Sequence, residues 1–212
     1  MAREQIDSMI AEKLRLAKAA QLSGDAFINE IIVKAPFDMT PVYLPRSQKR
    51  QSRIVSKIER YRQNDQTLDL KGAVDQVTDF AGGRLLVHYI GDVAPLFNFI
   101  CEVISERTDI DLNGECDNYI HSPRDSGFRA LMQPTLIQIQ PDIWFPFEIQ
   151  IMTYLAHDWD QKQHVIYENA DEAPESVQAT LRALAYRLLE ADEKFDIARF
   201  LVKGFISSEK NE

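Results

Sequence analysis

The sequence predicts an α+β fold: a mixed β-sheet of about five strands flanked by helices, with helical extensions at both ends. Three observations carry this expectation. Apolar residues recur at helical spacing over 2–33, 92–106 and 173–203. Between those stretches, apolar and polar residues alternate with period two: Phe145, Phe147, Ile149 and Ile151 fall on one face, Glu148, Gln150 and Met152 on the other. The helical and strand patterns follow one another with no linker or repeat, so the 212 residues read as one domain, with a core over about 45–168 and helical flanks over 1–35 and 173–205.

Each element has its own signal. Ile6, Met9, Ile10, Leu14, Leu16 and Ala17 mark an N-terminal helical region, which Ser23-Gly24-Asp25 is expected to break into two helices and Pro36 and Pro41 to close. Gln48 to Arg62 reads as a basic helix: Ile54, Ile58 and Tyr61 line the face beside its cations. Asp92 to Glu106 is amphipathic through Val93, Leu96, Phe97, Ile100, Val103 and Ile104. Strands are expected at 84–90, around 118–121, at 130–140 and at 144–152, the last two joined by a hairpin at Gln140-Pro141-Asp142. Tyr154 to Glu168 and Ala173 to Lys203 complete the chain as helices, the last with an apolar face through Val177, Leu181, Leu184, Leu188 and Leu189. Trp144 and Trp159 are expected to pack.

Composition narrows the function. The net charge of −9 argues against a generally basic, nucleic-acid-binding surface. Cys101 and Cys116 have no metal-ligand or disulfide-framework spacing, and Cys101 falls on the apolar side of a helix. No apolar run has membrane-spanning length, and the opening Met-Ala-Arg-Glu-Gln has no signal-peptide pattern. A disulfide-free cytoplasmic protein without a membrane partner is expected.

Two local features carry chemistry. In Asp79-Phe80-Ala81-Gly82-Gly83-Arg84, a carboxylate and an arginine flank two glycines at the mouth of a strand. Such an arrangement suits a metal-bound phosphate: Asp79 can hold the cation, the glycines allow close backbone approach, and Arg84 can grip phosphate oxygens. Glu148 adds a second carboxylate on a later strand, and Gly127-Phe128-Arg129 a glycine turn between them. The second feature is the stripe of Arg46, Lys49, Arg50, Arg53, Lys57 and Arg60, which only Glu59 offsets locally. Like charges at helical spacing repel, so the stripe calls for an anion such as a polyphosphate or an RNA backbone.

Taken in order, these segments resemble the synthetase domain of the RelA/SpoT alarmone synthetases, most of all the stand-alone small ones. The family's basic donor element resembles Arg46 through Lys57, and its Asp-x-x-Gly-x-Arg element matches Asp79, Gly82 and Arg84. Its acceptor loop resembles Asn118-Tyr119-Ile120-His121-Ser122-Pro123-Arg124 and then Gly127 to Met132. Its Glu-Ile-Gln-Ile-Arg-Thr strand matches Glu148 to Thr153 except at Met152, and its Trp-Ala-x-x-Glu-His helix resembles Trp159 to His164. The chain departs from the pattern where Phe128 replaces tyrosine, Ala130 serine, Met132 histidine, Met152 arginine and Gln163 glutamate.

The resemblance implies a nucleotidyltransferase-like fold and a pyrophosphokinase of the stringent response, which moves the pyrophosphate of ATP onto the ribose 3′-hydroxyl of GDP or GTP to make ppGpp-type alarmones. It implies Mg²⁺ on Asp79 and Glu148, the same two carboxylates carrying catalysis. It implies donor binding by Arg46, Lys49, Arg53, Lys57 and Arg84. Arg124, Phe128, Gln150 and His164 are implied for the acceptor. His157 receives no role. The departures leave three functions open: an active alarmone synthetase, a relative using an adenine nucleotide or a tRNA 3′ end as acceptor, and a catalytically impaired nucleotide-binding regulatory or toxin-like module. The acidic net charge disfavours the tRNA version. The terminal helices offer a surface for a homo-oligomer.

Overall fold

The computed structural model describes residues 2–36, 38–46, 51–168 and 174–209. Its frame is a six-stranded mixed sheet, comprising β1 (Val42–Pro45), β2 (Gly82–Val87), β3 (Ile110–Leu112), β4 (Asp117–Asn118), β5 (Leu131–Gln140) and β6 (Ile143–Thr153). The order is β1-β2-β6-β5-β3, with β4 pairing beside β3 along the outer edge of β5. Among the described residues only the β2–β6 pair is parallel.

The expected hairpin forms, with Asp142 at φ 63 in its turn. Pro134, which has no N–H for a ladder, falls where the edge of β5 passes from β4 (Met132) to β3 (Thr135). Strands β1 and β3 are additions to the sequence reading. Both are edge strands of three or four residues, too short to show a period.

The α1 helix (Ala2–Lys34) runs unbroken through Ser23-Gly24-Asp25, which corrects the expected break. Gly24 is there for proximity to the sheet: a Cβ on it would lie 2.1 Å from the Phe147 ring. The glycine lowers local helix propensity, and the contact of α1 with β5 and β6 overrides that. One turn earlier, Gln21 bonds both the N–H and the carbonyl of Gly82, at 3.0 and 2.9 Å, and so ties α1 to the start of β2.

The predicted face assignment of β6 holds. Phe145, Phe147, Ile149 and Ile151 are buried with Ile10, Phe27, Ile28 and Ile31 of α1 and with Leu96, Ile100 and Ile104 of α4 (Val93–Ser105). Ile54 and Ile58 of α2 (Gln51–Asn64) join this core, as does the short α3 (Leu70–Asp75), capped by the Asp69 carboxylate.

On the other face of the sheet lie α5 (Tyr154–Glu168) and a smaller apolar cluster: Leu86, Ala130, Met152 and Ala156. The α6 helix (Glu175–Glu209) then packs on α5 through Trp159, Leu181 and Ala185. It is also bonded to the sheet. Asp192, 2% exposed, accepts from Arg129 at 2.8 Å and from the Thr153 hydroxyl at 2.7 Å. Beyond that anchor Phe195, Ile197, Phe200, Leu201 and Val202 are exposed.

Trp159 packs as expected, its indole N–H donating to the Leu181 carbonyl, whereas Trp144 is 38% exposed on β6. Cys101 is half-buried rather than core, and both cysteines are free. No helix among the described residues is long and apolar enough to cross a membrane.

Candidate active site

A cleft of about 920 Å³ opens on the face of the sheet away from the main core. Its floor follows from strand register. Arg84 of β2 pairs with Gln150 of β6, which pairs with Met132 of β5; one row over, Gly82 pairs with Glu148. Alternation therefore turns Arg84, Glu148, Gln150 and Met132 to the same side. One wall is cationic: Arg46 follows β1, and Arg53 and Lys57 stand four apart on α2. Opposite, α5 presents His157, Asp160, Gln163 and His164, while Arg124, Ser126 and Phe128 come from the loop before β5.

Of the residues singled out in the sequence, Arg46, Arg53, Lys57, Asp79, Arg84, Arg124, Phe128, Glu148, Gln150 and His164 all line this one cleft. Lys49 lies outside the described residues, as does the start of the basic helix before Gln51. The site also contains His157 and Asp160, which the sequence reading left without a role. Asp160 falls at the alanine of the Trp-Ala pattern, and that substitution was the available signal.

The two carboxylates face the cationic wall. Arg46 lies 3.0 Å from Glu148, and Lys57 lies 2.9 Å from Asp79. All four side chains are about one-fifth exposed, so these pairs are less screened than pairs on the open surface. Arg46 Nη1 is buried and meets no hydrogen-bond acceptor among the described residues. Gln163 Oε1, from α5, is likewise buried without a hydrogen-bond donor among the described residues. Gln150 donates to Glu148 at 2.7 Å and accepts from Arg84 Nε at 2.9 Å. Arg84 also reaches Asp160 at 2.8 Å and His157 Nδ1 at 3.3 Å. Burial first, and then the charge of Arg84, hold the His157 pKa below its ordinary value. His164, half exposed, stands 3.5 Å from Asp160.

The loop side is shaped by Gly127. Its φ of +93 and its N–H, which donates to the Arg124 carbonyl, close a tight turn, and a Cβ there would come within 2.7 Å of Trp159. The turn leaves Phe128 half-buried at the cleft, with the Arg124 guanidinium 5.6 Å from its ring and 4.2 Å from that of Tyr119.

Gly82 and Gly83 have a different reason from the one the sequence suggested. A Cβ on Gly82 would meet the Glu148 carbonyl at 2.6 Å, and one on Gly83 the Tyr43 ring at 2.2 Å. They make room for neighbouring protein, so close approach of a phosphate is not needed to explain them. The departures from the family pattern also divide. Phe128, Met132 and Gln163 line the cleft. Ala130 and Met152 are both fully buried and pack on each other's cluster beneath α5. They stand where the family pattern has a hydroxyl and a guanidinium, and in this chain they pack in one apolar cluster.

A divalent cation fits the donor set. Mg²⁺ is commonly held by one or two carboxylates, with substrate phosphates and water completing its shell. Asp79 and Glu148 supply two carboxylates on one side of the cleft. Among the described residues no three His, Cys, Asp or Glu side chains are grouped to hold a metal by themselves.

Comparison with known proteins agrees with this architecture. The sequence pattern of the region found in RelA / SpoT proteins matches residues 46–172, which spans the cationic wall, strands β2 to β6 and α5. No curated protein matches the chain. Among solved structures, the small alarmone synthetase 1 from Bacillus subtilis bound to its product pppGpp superposes with a TM-score of 0.70 at 18% identity, over 95% of this chain and 99% of that one. The small alarmone synthetase 2 from Bacillus subtilis gives 0.66 at 21%, over 95% and 98%. The first enzyme bound to AMPCPP gives 0.64 at 16%, over 94% and 98%. At such identities the likeness establishes the fold, and the family rests on the sequence match.

Proposed function

The chain belongs to the RelA/SpoT family, and we propose that it is a pyrophosphokinase whose cleft moves the pyrophosphate of ATP onto the ribose 3′-hydroxyl of a nucleotide. The observation that carries this is the pairing of Arg46 with Glu148 and of Lys57 with Asp79, beside Arg53, in one cleft that also holds an aromatic face, Phe128. Pyrophosphoryl transfer is mostly positioning and charge neutralisation, and this lining is built for both.

In the proposed reaction, the acceptor oxygen bonds to the β-phosphorus of ATP. The bridging bond to the α-phosphate breaks, and AMP leaves. Arg46, Arg53 and Lys57 bind the donor polyphosphate, together with Lys49. Asp79 and Glu148 would hold Mg²⁺, which when bound neutralises polyphosphate charge. Glu148 is also the carboxylate placed to take the proton of the attacking hydroxyl. Phe128 stacks on the acceptor base, and Arg124, Gln150 and His164 line that side.

The acceptor is GDP or GTP in the direct reading. A second reading has an altered acceptor, because Phe128 and Met132 line the cleft where the family pattern has a phenol and an imidazole. An apolar wall discriminates between bases by only ~1–3 kcal/mol, far less than a hydrogen-bonding one.

Incubation of the purified protein with labelled ATP, Mg²⁺ and each of GDP, GTP, ATP and tRNA tests this. AMP release with at least one acceptor is expected, and its pattern selects the reading. Asp79→Asn and Glu148→Gln should each abolish that release in a folded protein. Wild-type turnover in either variant removes that residue from the mechanism. Mg²⁺-dependent ATP binding with no AMP release from any acceptor would make the protein a nucleotide-binding regulatory module instead.

A further inference from the structure

We infer that Arg84 is a positioning residue rather than a donor-phosphate ligand, and that Asp160 of α5 holds it so that Gln150 and Glu148 keep one arrangement. All three guanidinium nitrogens of Arg84 are engaged by protein: Nε by Gln150 Oε1 at 2.9 Å, Nη1 by His157 Nδ1 at 3.3 Å and Nη2 by Asp160 at 2.8 Å. Arg46 differs, with a buried Nη1 that meets no protein acceptor among the described residues. Of the two arginines, Arg46 has the donor to offer an incoming phosphate.

The chemistry of each partner is fixed by Arg84, because a guanidinium only donates. The His157 nitrogen facing it must carry a lone pair, so the imidazole is neutral with its proton on Nε2. Burial and the arginine charge favour that same neutral form. Gln150 must turn its carbonyl oxygen toward Arg84, and its NH₂ then points to Glu148, 2.7 Å away. The flipped amide would set a carbonyl oxygen against a carboxylate. Arg84 thereby chooses the amide orientation that supports Glu148, and Arg46 pairs with the same Glu148 Oε1 at 3.0 Å.

Asp160 is what keeps Arg84 in place. Its side chain is 5% exposed, and the contact is a pairing of charge, since Asp160 Oδ2 receives no N–H at hydrogen-bonding angle. If Arg84 swung out to a phosphate, this buried carboxylate would be left with His164, half exposed and 3.5 Å away. Stranding a buried charge is strongly unfavourable. The alanine of the family pattern cannot make this pair, so the hub of Asp160, Arg84, Gln150 and Glu148 belongs to this chain's own sequence.

The inference rests on the proposed pyrophosphate transfer only for its kinetic consequence, and its test separates the two. Arg84→Gln, Asp160→Asn, their double variant and Arg53→Ala would be compared for Mg²⁺-dependent ATP affinity by calorimetry, for kcat of AMP release, and for stability in denaturant. Arg53→Ala should weaken ATP binding about tenfold, as loss of a charge-assisted contact does. Arg84→Gln and Asp160→Asn should change ATP affinity by less than about twofold. Each should lower kcat by roughly 10–100-fold, the scale for residues that orient a metal-binding carboxylate. The double variant should be more active and more stable than the two single losses combined would give. A tenfold loss of ATP affinity in Arg84→Gln, or wild-type kcat in Asp160→Asn, overturns the inference. If the wild-type protein releases no AMP with any acceptor, the reading as a transferase fails alone. The hub is then decided by ATP affinity and by the stability cycle, where strictly additive losses would refute it.

Discussion

At the scale of single residues, the cleft carries more cations than carboxylates: Arg46, Arg53, Lys57, Arg84 and Arg124 against Asp79, Glu148 and Asp160. A surplus of two suits a polyphosphate whose charge is partly cancelled by a divalent cation better than a bare one. The cations on α2 are the part of this surplus that the sequence shows directly, since Arg53 and Lys57 share a helical face. Replacing both with alanine should weaken ATP binding at least tenfold and flatten its dependence on salt, because charge-assisted contacts are screened by ions. Titration of ATP at two ionic strengths checks this. Unchanged affinity would mark the stripe as a solvated face. Residue identity does not reveal pairing, however. Lys57 and Asp79 are both legible as functional, yet only the fold sets them 2.9 Å apart.

At the scale of elements, most helices and the central hairpin are legible because their periods are long enough to be seen. The α4 helix and the alternation in β6 lie where the apolar spacing puts them. The failures have physical causes. Strands β1 and β3 are too short for a period. The α3 helix has six residues and a glycine inside. In α1, Gly24 signals a break by propensity, yet the helix continues because packing on the Phe147 ring decides the position. Gly24→Ala therefore sets two effects against each other. Alanine gains about 1 kcal/mol of helix propensity. Its methyl must displace a ring that is 1% exposed, and overpacking of that kind costs about 1–3 kcal/mol. A net loss of up to about 2 kcal/mol is expected, read as a lower denaturation midpoint at constant slope. An increase in stability would mean that α1 can slide on the sheet and that the close approach is not needed.

At the scale of the whole molecule, α6 is joined to the cleft through one buried ion pair. Arg129 and Asp192 are each 2% exposed, 63 residues apart in sequence, and the Thr153 hydroxyl at the end of β6 shares the same carboxylate oxygen. Arg129 directly follows Phe128, so this pair fixes the loop that carries the aromatic face of the cleft. Asp192→Ala should destabilise the protein by about 3–5 kcal/mol, because it strands a buried guanidinium. Arg129→Met combined with Asp192→Ala should recover part of that loss, since no charge is then left unpaired. Chemical denaturation of the three variants measures both. If Asp192→Ala alone costs less than ~1 kcal/mol, water reaches Arg129 and the joint is looser than its burial implies.

The sequence by itself determined which charged and aromatic residues are candidates for the site and which elements they ride on. Local periodicity turns Glu148 and Gln150 to one side of a strand and Arg53 and Lys57 to one face of a helix, and ordered motifs placed ten of the predicted residues in a common site. These are relations among residues a few positions apart, or among motifs in order along the chain. The tertiary structure alone decided who partners whom. Arg84 meets Gln150 across 66 residues and His157 across 73, through a parallel register and the docking of α5 that no local pattern encodes. It also sorted the departures from the family pattern, sending Ala130 and Met152 into a shared apolar cluster while Phe128 and Met132 reached the cleft. Side-chain identity sets what a group can do. Which charge or packing surface stands within a few ångströms of it depends on the whole fold.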